Sequence, residues 1–447
     1  MNTRNSHIDA LRGTAILCVL VLHFALAYGL KNSPLGVLPA WLLNAAYQGN
    51  YGVTIFFVIS GYLITATSLH RWGDLARIEL AAFYVYRLAR LLPALLLALT
   101  IIVLLGVLDV PFFANTDGGK SLPASYFIIA IASVLTFWHN VLMQGAGYFN
   151  YCLNVYWSLS VEEMFYLLLP LSCRLLRRRQ AIMLLCGAAI VAGPVYRSLH
   201  ADNEIYFMYG YLACFDAIAI GCLTALLTRD MRLGERGGRC LRLLSGLALA
   251  LLYVRGIGGH EVFGFTWIAV ASAAFLVGSV TGEAGKPRRT GALQWLGRHS
   301  YELYLFHIIV LAGMRNVVDK AGLAYAERLP WLALFLAATA LAAALVARCV
   351  SGPANAALRR RFRRAAETTT TPAGAQATMT ARRDALPLPA HRCPLCGGPN
   401  GCAPARSGSF ATVCWCQAAA IDAGARARVP PALRGQACLC QRCGTKA

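Results

Sequence analysis

The sequence predicts an all-α polytopic membrane protein of about ten transmembrane helices plus a re-entrant segment, followed by a small, cysteine-rich, zinc-ribbon-like tail. Only 14% of the 447 residues are charged, against roughly 25% in soluble domains. Apolar runs of about 20 residues, each long enough to cross a bilayer, recur up to residue 349. Eight of the 16 cysteines lie between Cys393 and Cys443. These observations divide the chain into a membrane domain (1–350), a basic low-complexity linker (351–392) and a cysteine-rich domain (393–447).

Ten apolar segments are predicted to span the membrane in chain order. They are 14–30, 51–69, 91–110, 155–173, 181–199, 206–228, 241–256, 263–282, 299–317 and 330–349. A further apolar stretch at 124–143 is nearly long enough to cross, and a crossing there would reverse the side of every later loop. We therefore used the positive charges to decide between the two topologies.

With 124–143 treated as re-entrant, 24 Lys and Arg residues fall on the side of the N-terminus and seven on the opposite side. The positive-inside rule then predicts a multi-pass membrane protein with both termini in the cytosol. A net charge of +21 could indicate nucleic acid binding in a soluble protein. Here the charges flank apolar segments, so we expect no nucleic acid partner.

The first span carries an arginine and a histidine, Arg12 and His23, in register. Eleven residues at about 100° each come to about three full turns, so both side chains lie on one helix face, about 16 Å apart along the axis. An ionisable residue within a membrane span is costly and usually functional. A neutral imidazole can act as a general base, and an arginine at the membrane edge can bind a phosphate. The alternatives are a structural histidine and an arginine that only sets topology.

Two further charged pairs are candidates for the same site. Arg87 and Arg90 are neighbours on a helix just before the third predicted span, and two guanidiniums could clamp a polyphosphate. Glu162 and Glu163 lie inside the fourth span, where a carboxylate should face a cavity or pair with a cation. One of them could orient His23 or a substrate hydroxyl; a buried ion pair with an arginine is the alternative. Other polar or aromatic residues in the spans are candidates for substrate binding or for lining a pore: Ser60, Trp157, Asp216, Tyr304 and His307.

Six motifs in this order resemble acyltransferase family 3, a family of integral membrane proteins that mostly O-acylate extracytoplasmic carbohydrates. They are IDALRGTAILCVLVLHF, FFVISGYLI, the Arg-x-x-Arg of YRLARLLP, WSLSVEEMFYLLLP, FDAIAIGCLTALL and GRHSYELYLFH. The resemblance implies ten helices around a pore, through which acyl groups pass from cytosolic acyl-CoA to an acceptor outside.

By the same resemblance, Arg12 and His23 match the family's Arg-x10-His pair, whose histidine is taken as essential to transfer. Arg87 and Arg90 match arginines at the acyl-CoA entrance, and Glu162 or Glu163 matches an acidic motif residue. The region 111–154 matches an extracytoplasmic loop that folds back into the pore. Some family members carry a fused SGNH-type domain that shares in transfer, and we expect this chain to act without one.

The cysteines of the tail follow the spacing C-x2-C-x5-C-x11-C-x-C-x21-C-x-C-x2-C. A cytosolic location disfavours disulfides, and eight thiolates suffice for two zinc sites of four cysteines each, although the spacing does not assign them to sites. The candidate ligands are Cys393, Cys396, Cys402, Cys414, Cys416, Cys438, Cys440 and Cys443. The segment also resembles the cysteine-rich CWC family, and its binding partner is unknown.

The sequence thus predicts an enzyme in the lipid bilayer that moves an acyl group, most simply acetyl, from acyl-CoA to a carbohydrate hydroxyl. His23 would deprotonate the acceptor or carry the acyl group transiently. Direct transfer and an acyl-histidine intermediate are equally compatible with the sequence. The alternative is a transporter or flippase for a lipid-linked sugar, with a proton relay of buried His, Glu and Asp. Such proteins often contain internal repeats, and we find no convincing repeat in this chain.

Overall fold

The computed structural model describes residues 5–30, 39–231, 233–280, 291–369, 392–403, 414–415, 419, 421–430 and 438–445. The chain divides into two compact units, Met1–Arg360 and Arg361–Ala447. The first unit is nearly all helical and contains the predicted membrane domain. Its helices are α1 (Ser6–Tyr28), α2 (Ala40–Ala46), α3 (Tyr51–Trp72), α4 (Leu80–Val107), α5 (Tyr126–Leu135), α6 (His139–Ala146), α7 (Trp157–Leu176), α8 (Arg179–Leu199), α9 (Glu204–Tyr209), α10 (Tyr211–Thr228), α11 (Glu235–Arg255), α12 (Glu261–Val280), α13 (Ala292–Arg298), α14 (Ser300–Val317), α15 (Arg328–Val346) and α16 (Gly352–Thr369).

Eight helical segments of the described residues are long and apolar enough to cross a membrane. They are Ser6–Tyr28, Tyr51–Trp72, Leu80–Val107, Arg179–Leu199, Glu204–Thr228, Glu235–Arg255, Glu261–Val280 and Tyr325–Phe362. With no water in a bilayer core, helices satisfy every backbone polar group internally. Many leucines on their outer faces are exposed, for example Leu104 and Leu184, as expected where lipid rather than water is the solvent. The chain is therefore a multi-pass membrane protein.

Two of the ten predicted spans, the fourth and the ninth, correspond to helices outside this set of eight. They are α7, with 20 residues, and α14, with 18. Both carry candidate site residues, Glu162 and Glu163 on α7 and Tyr304 and His307 on α14. The apolar stretch 124–143 forms two short helices, α5 and α6, on either side of Phe137, whose φ is +66°. Neither of these helices is long enough to cross a bilayer.

Two helices begin earlier than predicted, which changes the surroundings of the arginines. The first begins at Ser6, where the side chain of Asn5 caps it by accepting hydrogen bonds from the backbone N–H groups of His7 and Ile8. The third helix begins at Leu80 instead of residue 91, so Arg87 and Arg90 lie on a helix, as predicted, and this helix is continuous with the third span.

Glycines allow the backbones of two helix pairs to touch. A Cβ at Gly13 of α1 would overlap the carbonyl oxygen of Leu293 in α13, and one at Gly297 would overlap that of Asp9. In the same way, Gly61 of α3 and Gly221 of α10 each face a carbonyl of the other helix. Small residues are the usual means by which helices pack closely in membranes. These contacts fix α1 against α13 and α3 against α10.

The described part of the second unit has little regular structure. Besides the last residues of α16, which begins in the first unit, its described residues form two short helices, α17 (Ala423–Ala427) and α18 (Gln441–Gly444), and an isolated bridge between Arg392 and Pro399. Its described buried hydrophobic residues are few: Cys393, Cys402, Cys414, Ala425 and Val429.

Candidate active site

A cavity of about 370 Å³ lies among α1, α3, α4, α7 and α14. We call it the main cavity. Six of the residues singled out from the sequence line it: Arg12, Ser60, Arg87, Arg90, Glu162 and Tyr304. The rest of its wall is largely aromatic and aliphatic, including Phe56, Phe57 and Leu63. An apolar cavity with a few convergent polar groups is the usual form of a small-molecule site.

The charged residues of one wall form a network around Arg87. Its guanidinium donates to Glu163, at 2.9 Å from Nε to Oε2, and to Glu162, at 3.1 Å from Nη2 to Oε1. Glu162 also accepts hydrogen bonds from Ser60 (2.7 Å) and Tyr166 (2.9 Å). Arg87 therefore forms a largely buried ion pair with both carboxylates. Within this network Glu162 faces the cavity, whereas Glu163 is 4% exposed and lies behind it.

Arg12 lies on another wall, at the junction of α1 and α14. Its Nη2 donates to the Ser300 hydroxyl at 2.8 Å. Tyr304, one turn further along α14, also faces the cavity, and its hydroxyl oxygen lies 2.6 Å from that of Ser158. Arg12 and Arg90 thus place positive charge on the cavity wall.

His23 and His307 lie side by side further along the same two helices. Their ring centroids are 4.8 Å apart with an interplanar angle of 65°. Each Nδ1 lies close to a carbonyl oxygen of its own helix, at 2.9 Å from Val19 for His23 and 2.6 Å from Tyr304 for His307. Because a carbonyl can only accept, Nδ1 carries the proton in both rings and Nε2 is left as an acceptor. We call these two residues the histidine pair.

The histidine pair is adjacent to the main cavity through Tyr304. Neither histidine is among the cavity-lining residues. Tyr304 lines the cavity, and its carbonyl oxygen accepts a hydrogen bond from Nδ1–H of His307. His307 is fully buried, and its Nε2 has no hydrogen-bond partner among the described residues. Nε2 of His23, which is only half-buried, is the more accessible basic nitrogen of the pair and is suited to accept a proton from a hydroxyl group.

A cluster of basic and aromatic side chains that was not predicted from the sequence lies at the end of the cavity near Arg90. The guanidinium carbon of Arg71 lies 4.1 Å from the centroid of the Tyr86 ring, and that of Arg359 lies 5.2 Å from the same centroid. Trp72 and His70 also line this end. Since flanking arginines are ordinary in membrane proteins, only the three-dimensional arrangement distinguishes Arg71 and Arg359 from the other arginines of their clusters.

Asp216 and Trp157 lie apart from the main cavity and line a much smaller one of about 30 Å³. The carboxylate of Asp216 is paired with Arg197 at 2.7 Å, and both residues are almost fully buried. Trp157 packs on Tyr209 with ring centroids 4.5 Å apart. Arg197 is one of the seven Lys and Arg residues that the sequence predicts in loops on the side opposite the N-terminus, and the structure instead buries it in α8.

The family model described as the acyltransferase domain of family 3 matches residues 5–347. The chain belongs to this family of acyltransferases. The prediction made from the six motifs is therefore confirmed, and the match includes every residue of the main cavity except Arg359.

Relatives among the curated proteins are O-acetyltransferases by name. O-acetyltransferase OatA of Staphylococcus aureus strain NCTC 8325 / PS 47 is 25% identical over 335 residues, and so is OatA of strain COL. In each case the alignment includes 68% of this chain and 50% of the relative. The chain thus spans about half the length of the curated relatives it matches. No solved structure matches.

A second family model, of the cysteine-rich CWC family, matches residues 393–445 and confirms the other predicted resemblance. Of the eight predicted ligands, Cys393, Cys396, Cys440 and Cys443 place their sulfur atoms within 4.8 Å of one another. Burial raises the pKa of the Cys393 thiol, but the backbone N–H groups of Cys440, Leu395 and Cys396 outweigh it and lower that pKa to about 6. The Sγ atoms of Cys402 and Cys438 are 3.1 Å apart. Cys416 lies outside the described residues.

Proposed function

We propose that this membrane protein is an O-acetyltransferase that moves acetyl from acyl-CoA to a hydroxyl of an extracytoplasmic carbohydrate. Family membership and the names of the relatives support the reaction class. The observation that carries the proposal is the pairing of helices α1 and α14. Arg12 and Ser300 meet beside the cavity, and His23 and His307 meet about 16 Å further along. An anion site and a basic nitrogen are thereby held on one rigid scaffold.

The proposed topology has ten spanning helices, α7 and α14 included, in the cell inner membrane, with both termini cytosolic. The start of α1, the end of α3 and the start of α4 then share the cytosolic side. Arg12, Arg71 and Arg90 lie in the cytosolic halves of these helices, and all three line the main cavity. The cavity would therefore take its ligand from the cytosol.

Acyl-CoA fits the character of this cavity. Its phosphates need cations, which Arg12, Arg71, Arg90 and Arg359 supply, and guanidiniums bind phosphates with good geometry. The role of Arg87 differs from the one expected from the sequence: we propose that it fixes Glu162 and Glu163 in place and contributes less to phosphate binding.

In the proposed reaction, Nε2 of His23 takes the proton of the acceptor hydroxyl. The oxygen attacks the thioester carbonyl, the C–O bond forms and the C–S bond breaks. The CoA thiolate leaves and takes a proton from the imidazolium of His23, so that the ring returns to its neutral state. His307, in contact with His23, holds the ring in place and excludes water. In a second route, Nε2 of His23 first attacks the thioester carbonyl, so that a C–N bond forms and the C–S bond breaks, and the acceptor hydroxyl then takes the acyl group from the ring. This route predicts an acyl-enzyme and ping-pong kinetics. Direct transfer predicts sequential kinetics.

The test uses His23→Ala in the full-length protein reconstituted in liposomes, with labelled acetyl-CoA and a glycan acceptor. Loss of a general base lowers the rate by about 10²- to 10⁴-fold, and we expect insertion into the membrane to be unchanged. His260→Ala is the matched control, because His260 is exposed and lines neither cavity. Full activity of His23→Ala would refute the proposed role. Movement of a lipid-linked sugar across the bilayer without acetylation would favour the flippase instead.

We further propose that the tail binds zinc. Cysteine thiolates are the usual ligands of structural zinc, and so small a core as that of the second unit needs additional stabilisation.

A further inference from the structure

Two short turns of the tail have the same sequence pattern and come together in space. The first is Cys393-Pro-Leu-Cys396-Gly397, and the second is Cys440-Gln-Arg-Cys443-Gly444. Both read Cys-x2-Cys-Gly, and 43 residues separate the inner cysteines. We call them the first and the second cysteine turn.

Each turn is closed by a backbone hydrogen bond of the same type. In the first turn, the N–H of Gly397 donates to the carbonyl of Cys393 at 2.8 Å. In the second, the N–H of Gly444 donates to the carbonyl of Cys440 at 2.9 Å. Gly397 has a φ of +70°, a conformation that favours glycine. Each turn thus holds its two cysteine side chains on one side of a tight loop.

The distance between the sulfur atoms of Cys396 and Cys440, one from each turn, fits two ligands of one tetrahedral metal ion and is too long for a disulfide bond. The Sγ atoms of Cys396 and Cys440 are 3.7 Å apart. With zinc–sulfur bonds of about 2.3 Å, the edge of a regular ZnS4 tetrahedron is about 3.8 Å. A disulfide would require about 2.05 Å. All four sulfur atoms lie within 4.8 Å of one another.

Backbone groups are also directed at the sulfur of Cys393. The N–H groups of Leu395 and Cys396, from its own turn, and of Cys440, from the other turn, donate to it. The donor from Cys440 therefore joins the two turns.

From these observations we infer that Cys393, Cys396, Cys440 and Cys443 form one closed, four-cysteine zinc site of structural type. The inference rests on the proposed zinc binding of the tail and specifies which ligands share one ion, a point that the spacing of eight cysteines leaves open. Four protein ligands occupy every position of a tetrahedral zinc, so no position is left for a substrate. The ion would tie the two ends of the cysteine-rich segment together. Cys402 and Cys438, which contact each other, lie outside this site.

The experiment uses the full-length protein in detergent and measures two quantities: zinc per chain by elemental mass spectrometry, and alkylation of each cysteine by N-ethylmaleimide with peptide mapping. We expect Cys393, Cys396, Cys440 and Cys443 to be protected together and to become reactive together when a chelator removes the metal. In Cys440→Ser, zinc should fall by one equivalent per chain and the three remaining ligands should become reactive. Cys349→Ser, a substitution of an exposed cysteine outside the tail, is the control and should keep its zinc.

The possible results distinguish failure of this four-cysteine ligand set from failure of the proposed zinc binding of the tail. If zinc is bound but protection pairs Cys396 with Cys402 or Cys414 instead of Cys440, the ligand set inferred here is wrong and zinc binding stands. Iron in place of zinc, recognised by its visible thiolate charge-transfer bands, would overturn the identity of the metal. If the purified chain binds no metal and the chelator changes no reactivity, both the site and the proposed zinc binding are refuted.

Discussion

Asp216 provides the sharpest test of whether a buried carboxylate of this chain serves structure or transport. Its side chain and that of Arg197 are 2% and 1% exposed. The guanidinium of Arg197 donates to both carboxylate oxygens, to the hydroxyl of Thr266 (2.7 Å), and to the carbonyls of Val262 (2.8 Å) and Ala213. The pair therefore joins α8, α10 and α12, and we predict that it is a structural anchor and not part of a proton relay.

The expected magnitudes follow from this geometry. Asp216→Leu leaves a buried guanidinium without its counter-ion, and Arg197→Met leaves a buried carboxylate, so each should cost about 3–5 kcal/mol of stability. The double variant leaves no buried charge. Its cost should come mainly from the two carbonyls that lose their donor, at about 1 kcal/mol each. The double variant should therefore be more stable than either single variant, and the coupling energy should be about 3 kcal/mol or more.

The assay is denaturant unfolding of the full-length protein in detergent micelles, with acetyl transfer measured on the folded fraction. We expect the folded fraction of the double variant to keep its transfer rate. The reasoning is refuted if Asp216→Leu unfolds at the same denaturant concentration as the parent protein. It is equally refuted if the double variant is stable but inactive, since that would place Asp216 in the path of a substrate or proton.

Three further predictions concern the main cavity, the helix packing and the histidine pair. Arg71→Ala and Arg359→Ala should each raise KM for acetyl-CoA by about 10- to 150-fold, because a lost charge-assisted hydrogen bond costs about 1.5–3 kcal/mol. Steady-state kinetics with acetyl-pantetheine, which lacks the nucleotide, should show no such change. Gly221→Ala should lower the free energy of unfolding by about 1–3 kcal/mol through overlap with the α3 backbone, whereas Gly187→Ala, where no atom lies within 4 Å of the new Cβ, should leave the thermal midpoint unchanged or raise it. His307→Ala should lower kcat and leave KM for acetyl-CoA unchanged, which single-turnover and steady-state measurements together would test; a change in KM alone would contradict a role beside the reacting atoms.

The sequence predicted the helices well because helix formation in a membrane is a local matter. Runs of apolar residues and the satisfaction of backbone polar groups suffice to place them. The helical phase of Arg12 and His23 was predicted for the same reason. It depends only on 3.6 residues per turn, and in the structure both side chains meet residues of α14.

Partners across helices could not be predicted in this way. The sequence left open whether Glu162 and Glu163 pair with an arginine, and it offered no means of choosing Arg87. It also placed Arg197 at a loop because charged residues near span ends usually set topology. A buried arginine needs a carboxylate on a neighbouring helix, and that neighbour is fixed by the packing of α8, α10 and α12 together. Only the folded chain supplies this information.

The backbone contact between α1 and α13 fixes the position of the first helix along its axis. At Gly13, α1 touches α13 so closely that a methyl group cannot be added, so the helix cannot slide or rotate there. The position of His23 is then set by the number of residues that separate it from Gly13. One inserted residue would turn His23 by about 100° away from His307 and move it about 1.5 Å. Seven inserted residues would nearly restore its direction but shift it by two turns, beyond the reach of its neighbour. The spacing along α1 is thus fixed by geometry at both ends.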